Sequence, residues 1–339
     1  MIKIAVVILN WNGKDLLEKF LPSVIRFSNP EITDIYVADN ASTDDSVLFI
    51  QHHFTTIKII QNSENGGYAK GYNDALKHIK ADFFALVNSD IEVTPNWLEP
   101  IIEHFEHHQN TAIIQPKILD YKNREYFEYA GAAGGFIDEF GYPFCRGRIF
   151  DTVEKDTSRY DYLEDIFWAS GACFFVRSEV FKKLNGFDES YFAHQEEIDF
   201  CWRAKNFGYD IKYIPNSVVY HVGGATLSVY NPKKTFLNFR NSLITLLKNL
   251  PPNKVIGIIF SRLILDGIAG IKFLFELQPK HTFAIIKAHF SFYKNVMKNW
   301  RKRKDTPNKI INYYHTKSIV YQYYIKKKKV FTAIIPEQF

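Results

Sequence analysis

The sequence predicts an α/β fold: a mostly parallel sheet with helices on both faces, followed by a helical tail. Three observations carry this reading. Short apolar runs alternate with stretches of helical spacing through the first third of the chain. Most of those runs end in a cluster of amide, hydroxyl or carboxylate residues. From Lys233 onward, helical patterns dominate.

Ile4–Leu9 is an apolar run and predicts a buried first strand; Leu16, Leu17, Phe20, Leu21, Val24 and Ile25 then recur at helical spacing. Ile35–Ala38 predicts a second strand and Asp44–Phe54 a helix with Asp and Ser near its start. Ile57–Gln61, Phe83–Val87 and Ala112–Ile118 predict further strands, with helices over Tyr68–Ile79 and Asn96–His107 between them. Residues 120–164 are rich in Gly, Tyr and Phe and show no clean periodicity. Regular signals resume over Phe167–Arg177, then a helix from Ser178, a helix over Glu196–Phe207, and short strands at Ile211–Ile214 and Val218–Tyr220. Pro251-Pro252 breaks the chain before Val255–Leu277, which Arg262, Asp266 and Lys272 make amphipathic. The expected division is a sheet domain over residues 1–230 and a helical, basic region over 231–339.

The 339 residues, 46% of them apolar, suffice for a large core. Cys145, Cys173 and Cys201 are widely spaced, which argues against a disulfide scaffold or a zinc site and suits a reducing compartment. The opening apolar run is too short for a signal peptide, and no segment offers the ~20 uncharged residues of a spanning helix. The net charge of +5 is unevenly spread: from Lys294 to Lys329 twelve Lys/Arg stand against one acid, Asp305. With the apolar Val255–Leu277 stretch, this predicts attachment to an anionic membrane surface, peripheral on the cytoplasmic face. A plain helical subdomain or a homodimer interface is the competing reading of the tail; a nucleic-acid role would rest on the tail alone and is not expected.

In parallel sheets ligands sit beyond the carboxyl ends of the strands. Four predicted strand ends there carry polar clusters: Asn10-Trp11-Asn12-Gly13, Asp39 to Asp44, Asn65-Gly66-Gly67 and Asn88-Ser89-Asp90. Asp39 can accept hydrogen bonds from a pyrimidine or ribose, and Gly66-Gly67 permit close backbone approach before a helix N-terminus that favours phosphate. Asp90 emerges where a diphosphate needs its charge offset by Mg²⁺ or Mn²⁺. Glu196 and Glu197 stand at a helix start, where one can serve as general base, while Asp199 and Arg203 are spaced to pair. His221, at a strand end before glycines, can reach a metal. Taken singly, each cluster reads as a turn, a helix cap or a satisfied core residue; their concurrence at successive strand ends points to one site.

The runs ILNWNG, VADNASTDDS, NGGYAKGYNDAL, LVNSD, SGACFFVRSEVFKKLNGFDESYF, EEIDFCWRAKNFGY and YHVGGAT occur in order over about residues 3–228. In these the chain resembles the family-2 glycosyltransferases of the GT-A fold, in particular their rhamnosyltransferase-like bacterial subset. The resemblance implies an inverting transferase that takes a sugar from a nucleoside diphosphate, of thymidine or uridine type, to a glycan or lipid-linked acceptor in cell-surface polysaccharide synthesis. It implies that Asp39 contacts the base and that Asn10 and Asn65 line the nucleotide pocket. Asn88 and Asp90 match the two ends of a DxD-type motif, with Asp90 the metal-binding acid and His221 completing the metal site. Gly171 and Ala172 match a loop beside the donor sugar and acceptor. Glu197 matches the general base, where Asp is usual, and Glu196 is the alternative. A sugar nucleotidylyltransferase would instead carry a GxGxR-type loop after the first strand, which NWNG does not supply. A non-catalytic sugar-binding protein would have no need of these acids together.

Overall fold

The computed structural model describes residues 3–223, 231–306 and 309–336, so Gly224 to Thr226 of the last motif lie outside the described residues. A nine-stranded sheet forms the centre. Its strands are β1 (Ile4–Asn10), β2 (Thr33–Asp39), β3 (Lys58–Gln61), β4 (Phe83–Asn88), β5 (Ile91–Val93), β6 (Thr111–Asp120), β11 (Glu164–Asp165), β12 (Cys173–Arg177) and β13 (Asp210–His221). Their order is β11-β13-β6-β12-β4-β1-β2-β3, with β5 added against β13. β1, β2, β3 and β4 pair in parallel, as do β6 and β13, whereas β12 runs antiparallel to both β4 and β6.

Alternation along the strands sends side chains to two cores. Val6 and Ile8 meet Leu17, Leu21 and Val24 of α1 (Lys14–Phe27), Ile50 of α2 (Ser46–His53), and Ile101 and Phe105 of α4 (Glu99–His107). Ala5 and Val7 join the opposite core with Tyr72 of α3 (Gly67–Leu76), Phe181 of α5 (Ser178–Lys183) and Phe200 of α6 (Glu196–Asn206). Each such fully buried side chain contributes about 1.5–3 kcal/mol. Helices thus cover both faces, as predicted.

Several elements differ from the sequence reading. Residues 120–164 contain β7 (Gly135–Ile137), β8 (Pro143–Cys145), β9 (Arg148–Ile149) and β10 (Thr152–Val153), a separate four-stranded sheet. Its strands are two or three residues long, too short for periodicity to register. The two expected short strands near residues 211 and 220 form one strand, β13, whose register slips between Ile214 and Val218 where Pro215 offers no N–H. The helix expected from Asn96 starts at Glu99, because Asn96 is left-handed (φ 60°) and Trp97 and Leu98 turn into the core.

The tail is helical: α7 (Pro232–Asn249), α8 (Val255–Phe275) and α9 (Pro279–Arg301) pack on one another, and α10 (Phe331–Ile334) sets Phe331 against Phe136 and Phe144 of the small sheet. Among the described residues no helix is long and apolar enough to cross a membrane.

Candidate active site

Strand direction gathers the polar clusters on one edge. β1, β2, β3, β4, β6 and β13 run the same way, so Asn10, Asp39, Asn88 and His221 close their strands along a common rim. Because β12 runs against them, its start reaches that rim too: Cys173 lies opposite Val87, and Asn88 donates its backbone N–H to the Ala172 carbonyl at 2.9 Å. This is why Gly171 and Ala172, which precede a strand, join residues that follow one.

At one end of the rim the register of β5 on β13 sets Ile91 opposite His221 and so puts Asp90 beside the imidazole. His221 Nε2 lies 3.1 Å from Asp90 Oδ1, and both side chains are buried. On the other side of the ring Nδ1 is 3.4 Å from Glu128 Oε1, close for an ion pair but long for a hydrogen bond. Glu128 is itself fixed by the Ala130 N–H, donated to Oε2 at 2.6 Å. Burial works against charge on His221, yet Glu128 and Asp90 outweigh it and push the imidazole up to about 10. Burial raises Asp90, and the hydrogen bond from His221 more than reverses it, leaving that carboxyl below its usual range.

The donor set fits a divalent cation. Asp90 and His221 offer a carboxylate oxygen and an imidazole nitrogen facing each other, and Glu128 stands where it can accept the Nδ1 proton once Nε2 is a ligand. Among the described residues no three His, Cys, Asp or Glu side chains form a closed metal cage. Two protein donors leave coordination positions to phosphate oxygens and water, the manner in which Mg²⁺ is commonly held.

At the β1–β2–β3 end of the rim, amides cross-link the strand ends. Asn10 donates through Nδ2 to Asp39 Oδ1 and Ser42 Oγ, each at 3.2 Å, while Asn10 Oδ1 is buried with no partner. Asp39 Oδ2 accepts the Ser42 N–H at 2.9 Å, three residues on, which pins the loop after β2. Asn40 donates to Asn65 Oδ1 and to the Gly67 carbonyl, both at 3.0 Å, and accepts from Asn62 at 3.1 Å. The phosphate site expected at the Gly66-Gly67 helix start is corrected here. Gly67 N–H is donated to Asn65 Oδ1 and Tyr68 N–H to the Phe192 carbonyl at 2.7 Å, so these donors are already used inside the protein. Gly67, at φ 76°, is demanded by packing, since a Cβ there would lie 2.2 Å from the Phe192 carbonyl oxygen; at Gly66 a Cβ would come within 2.7 Å of the backbone-fixed Lys70 Cβ.

The acids stand near Tyr68, whose hydroxyl meets Gly171 before β12. Phe192, His194 and Gln195 are all left-handed (φ 66°, 69° and 73°), an expensive path for non-glycine residues that aims the start of α6. Asn241 of α7 holds it, donating to the carbonyls of Tyr191, Ala193 and His194 at 2.8–3.1 Å. Glu196 is buried and Glu197 keeps an exposed edge; the Oε2 atoms of both are shielded and unpaired. Burial pushes the Glu197 carboxyl up to about 7, and burial together with Glu197 raises Glu196 well above its usual range. Tyr68 donates its hydroxyl to the Gly171 carbonyl at 2.7 Å, and its own acidity is suppressed first by burial, then by Tyr72 and the acid pair. A carboxyl with solvent access therefore stands within electrostatic reach of Tyr68, whose hydroxyl meets the Gly171 loop.

Asp199 and Arg203 pair as their spacing predicts, at 2.9 Å, and both are buried. Sequence reasoning missed Glu128, Asn62, Tyr68, Asn241 and Lys248. Glu128 sits in the aperiodic stretch and Asn241 and Lys248 in the tail, where no local pattern marks them; Tyr68 and Asn62 lay next to recognised motifs.

The profile of "Glycosyl transferase family 2" matches residues 5–184. The chain is similar to the N-acetylglucosaminyl-diphospho-decaprenol L-rhamnosyltransferase of Mycobacterium tuberculosis, 22% identical over 64% of this chain and 75% of that protein. It is also similar to the rhamnosyltransferase WbbL of Escherichia coli K12, 25% identical over 62% of this chain and 80% of that one. Among solved structures, GalNAc-T7 with UDP, GalNAc and Mn²⁺ superposes with TM-score 0.66 at 13% identity; it aligns with 96% of this chain, which spans only 57% of GalNAc-T7. Staphylococcus aureus TarS 1–349 with UDP-GlcNAc gives 0.55 at 17% identity, over 90% of this chain and 91% of that one. The fold is that of a GT-A glycosyltransferase, and the chain belongs to glycosyl transferase family 2. It is a glycosyltransferase that works from a nucleotide sugar. The matched span stops short of Glu196, Glu197 and His221, so their roles rest on geometry.

Proposed function

We propose that this chain is an inverting, divalent-metal-dependent transferase that moves a hexosyl or rhamnosyl unit from a nucleoside diphosphate to a hydroxyl of a glycan or lipid-linked acceptor. The observation that carries it is the Glu196–Glu197 pair: buried carboxyl oxygens without a cation, one residue partly open to solvent, within electrostatic reach of Tyr68, which bonds Gly171. A carboxyl raised to about 7 is matched to general-base work near neutral pH.

In the proposed reaction Glu197 takes the proton of the acceptor hydroxyl. The freed oxygen lone pair forms a bond to the anomeric carbon, and the bond from that carbon to the diphosphate oxygen breaks on the opposite face. The leaving nucleoside diphosphate keeps the electron pair. Asp90 and His221 would hold Mg²⁺ or Mn²⁺, which when bound offsets the charge growing on the diphosphate. Asp39, Asn10 and Asn65 shape the nucleoside end, and Asn88, Gly171 and Ala172 border the sugar. The Mn²⁺ of GalNAc-T7 and of the Pyrobaculum calidifontis mannosyltransferase PcManGT supports the metal assignment through fold likeness. The diphospho-decaprenol acceptor in the name of the mycobacterial relative supports a lipid-linked acceptor, met at the cytoplasmic face of a membrane that the basic C-terminal region touches.

Metal-dependent release of nucleoside diphosphate from a panel of nucleotide sugars tests the reading. Asp90→Ala is expected to abolish that release. Wild-type turnover by Asp90→Ala would remove the metal site, and release of pyrophosphate instead would overturn transfer altogether.

A further inference from the structure

Helix α8 is inside out. Its charged residues Arg262 and Asp266 are buried: Arg262 donates to the Phe140 carbonyl and to Ser242 Oγ, each at 2.8 Å, and Asp266 faces His289 at 3.2 Å. The face it turns outward carries Ile256, Phe260, Ile264, Ile268, Ile271 and Phe275, spaced three or four apart and 52–85% exposed, with Gly257 and Gly267 between them and one exposed charge, Lys272, at its C-terminal end. A helix whose far side meets water shows the reverse pattern. Its partner α9 continues the surface with Phe283, Phe290, Met297 and Trp300, of which Phe290 is 71% exposed. An apolar surface this continuous marks an interaction face.

The charges beside it name the partner. Lys280, Lys287, Lys294 and Lys298 are exposed and run along one flank of the α9 apolar stripe. α9 contains no acid, the single acid of α8 is the buried Asp266, and Glu276 in the turn between them is tied to Lys272 at 3.4 Å. A second copy meeting this face with its own α8–α9 face would set lysine against lysine, whereas anionic lipid headgroups would neutralise the row. Lysine stems can lie along acyl chains with their ammonium groups at headgroup level, and Trp300 has the amphipathic ring of an interfacial residue.

We propose that the α8–α9 hairpin lies in the plane of an anionic bilayer, its outward apolar stripe sunk among the acyl chains and its lysine row on the headgroups. This deepens the membrane part of the function proposed above but rests on none of its catalytic assignments. It also shifts the attachment away from the basic blocks. Lys302 is committed to Asp188 at 2.7 Å, Arg303 to the Leu247 and Leu250 carbonyls, and Lys329 lies over the Tyr323 ring.

The test is co-sedimentation of the full chain with vesicles of phosphatidylcholine alone or mixed with phosphatidylglycerol. Wild type is expected to pellet with the mixed vesicles and more weakly with phosphatidylcholine. The combined variant Phe260→Ser, Ile264→Ser, Phe290→Ser alters exposed side chains only, and is expected to keep its melting temperature and its donor hydrolysis. It should lose about tenfold or more in partitioning on both compositions. Lys287→Gln with Lys294→Gln should lose binding only where phosphatidylglycerol is present. Wild type remaining in the supernatant with both vesicles, or the triple variant pelleting like wild type, would overturn the proposal. So would a lipid-free wild-type dimer that the triple variant converts to monomer, because a second copy would then cover this face.

Discussion

Two groups of acids stand within a turn of each other at the start of α6 and have opposite characters. Asp199 is buried, but Lys248 at 2.8 Å and Arg203 at 2.9 Å reach it, Asn249 donates to its second oxygen, and Asp188 nearby shares Lys248 and holds Lys302. Burial raises both aspartates, and the cations more than reverse this, leaving them below the usual carboxylate range. Glu196 and Glu197 are equally shielded at Oε2 and meet no cation, so burial wins and both are raised. Burial alone therefore does not separate structural acids from reactive ones; the presence of a counter-ion does.

Substitutions can break this contrast. The largest effect on stability is expected from Lys248→Ala, which removes two charge-assisted hydrogen bonds and leaves Asp199 only Arg203 and Asp188 only Lys302; it should cost about 3 kcal/mol in denaturant unfolding. A loss below about 1 kcal/mol would mean that the network is ornamental. Glu197→Gln should leave folding intact and donor affinity unchanged while lowering kcat by about 10²- to 10⁴-fold. If Glu196→Gln does this instead, the base is one residue earlier. At the metal end, Glu128→Gln should weaken Mn²⁺ binding by about 10- to 100-fold in a calorimetric titration, with the fold unchanged.

The last effect is a difference in sign with pH. Glu197 binds its proton more tightly folded than unfolded, so its contribution is full below about pH 4.3 and is lost as pH rises through about 7. Asp188 and Asp199 are depressed, so theirs is present above about pH 4 and is lost on acidification. Between about pH 5 and pH 8, Glu197→Gln should lose roughly 2–3 kcal/mol less stability than wild type. Equal slopes for the two proteins would show that Glu197 does not titrate in that window.

The rim was legible because each of its clusters sits at the end of an apolar run, and Asn10, Asp39, Asn88 and His221 were found that way. Glu128 was not, since only the folded course of an aperiodic segment brings it behind His221. The reason for glycine at 67 was equally hidden: the atom that excludes a side chain there is the Phe192 carbonyl oxygen, far along the chain. The fold class followed from alternation, but the reversed direction of β12 did not, because an apolar strand reads the same either way.

Asn241 lies beyond the last recognised motif, yet its single amide spans three carbonyls of the segment that leads into the acid pair. Shortening the chain before α7 would spare every strand-end residue and still let Phe192 to Gln195 relax into ordinary extended backbone. The same cut would take Lys248 and Asn249 from the buried Asp199, so the tail steadies the start of α6 from two sides.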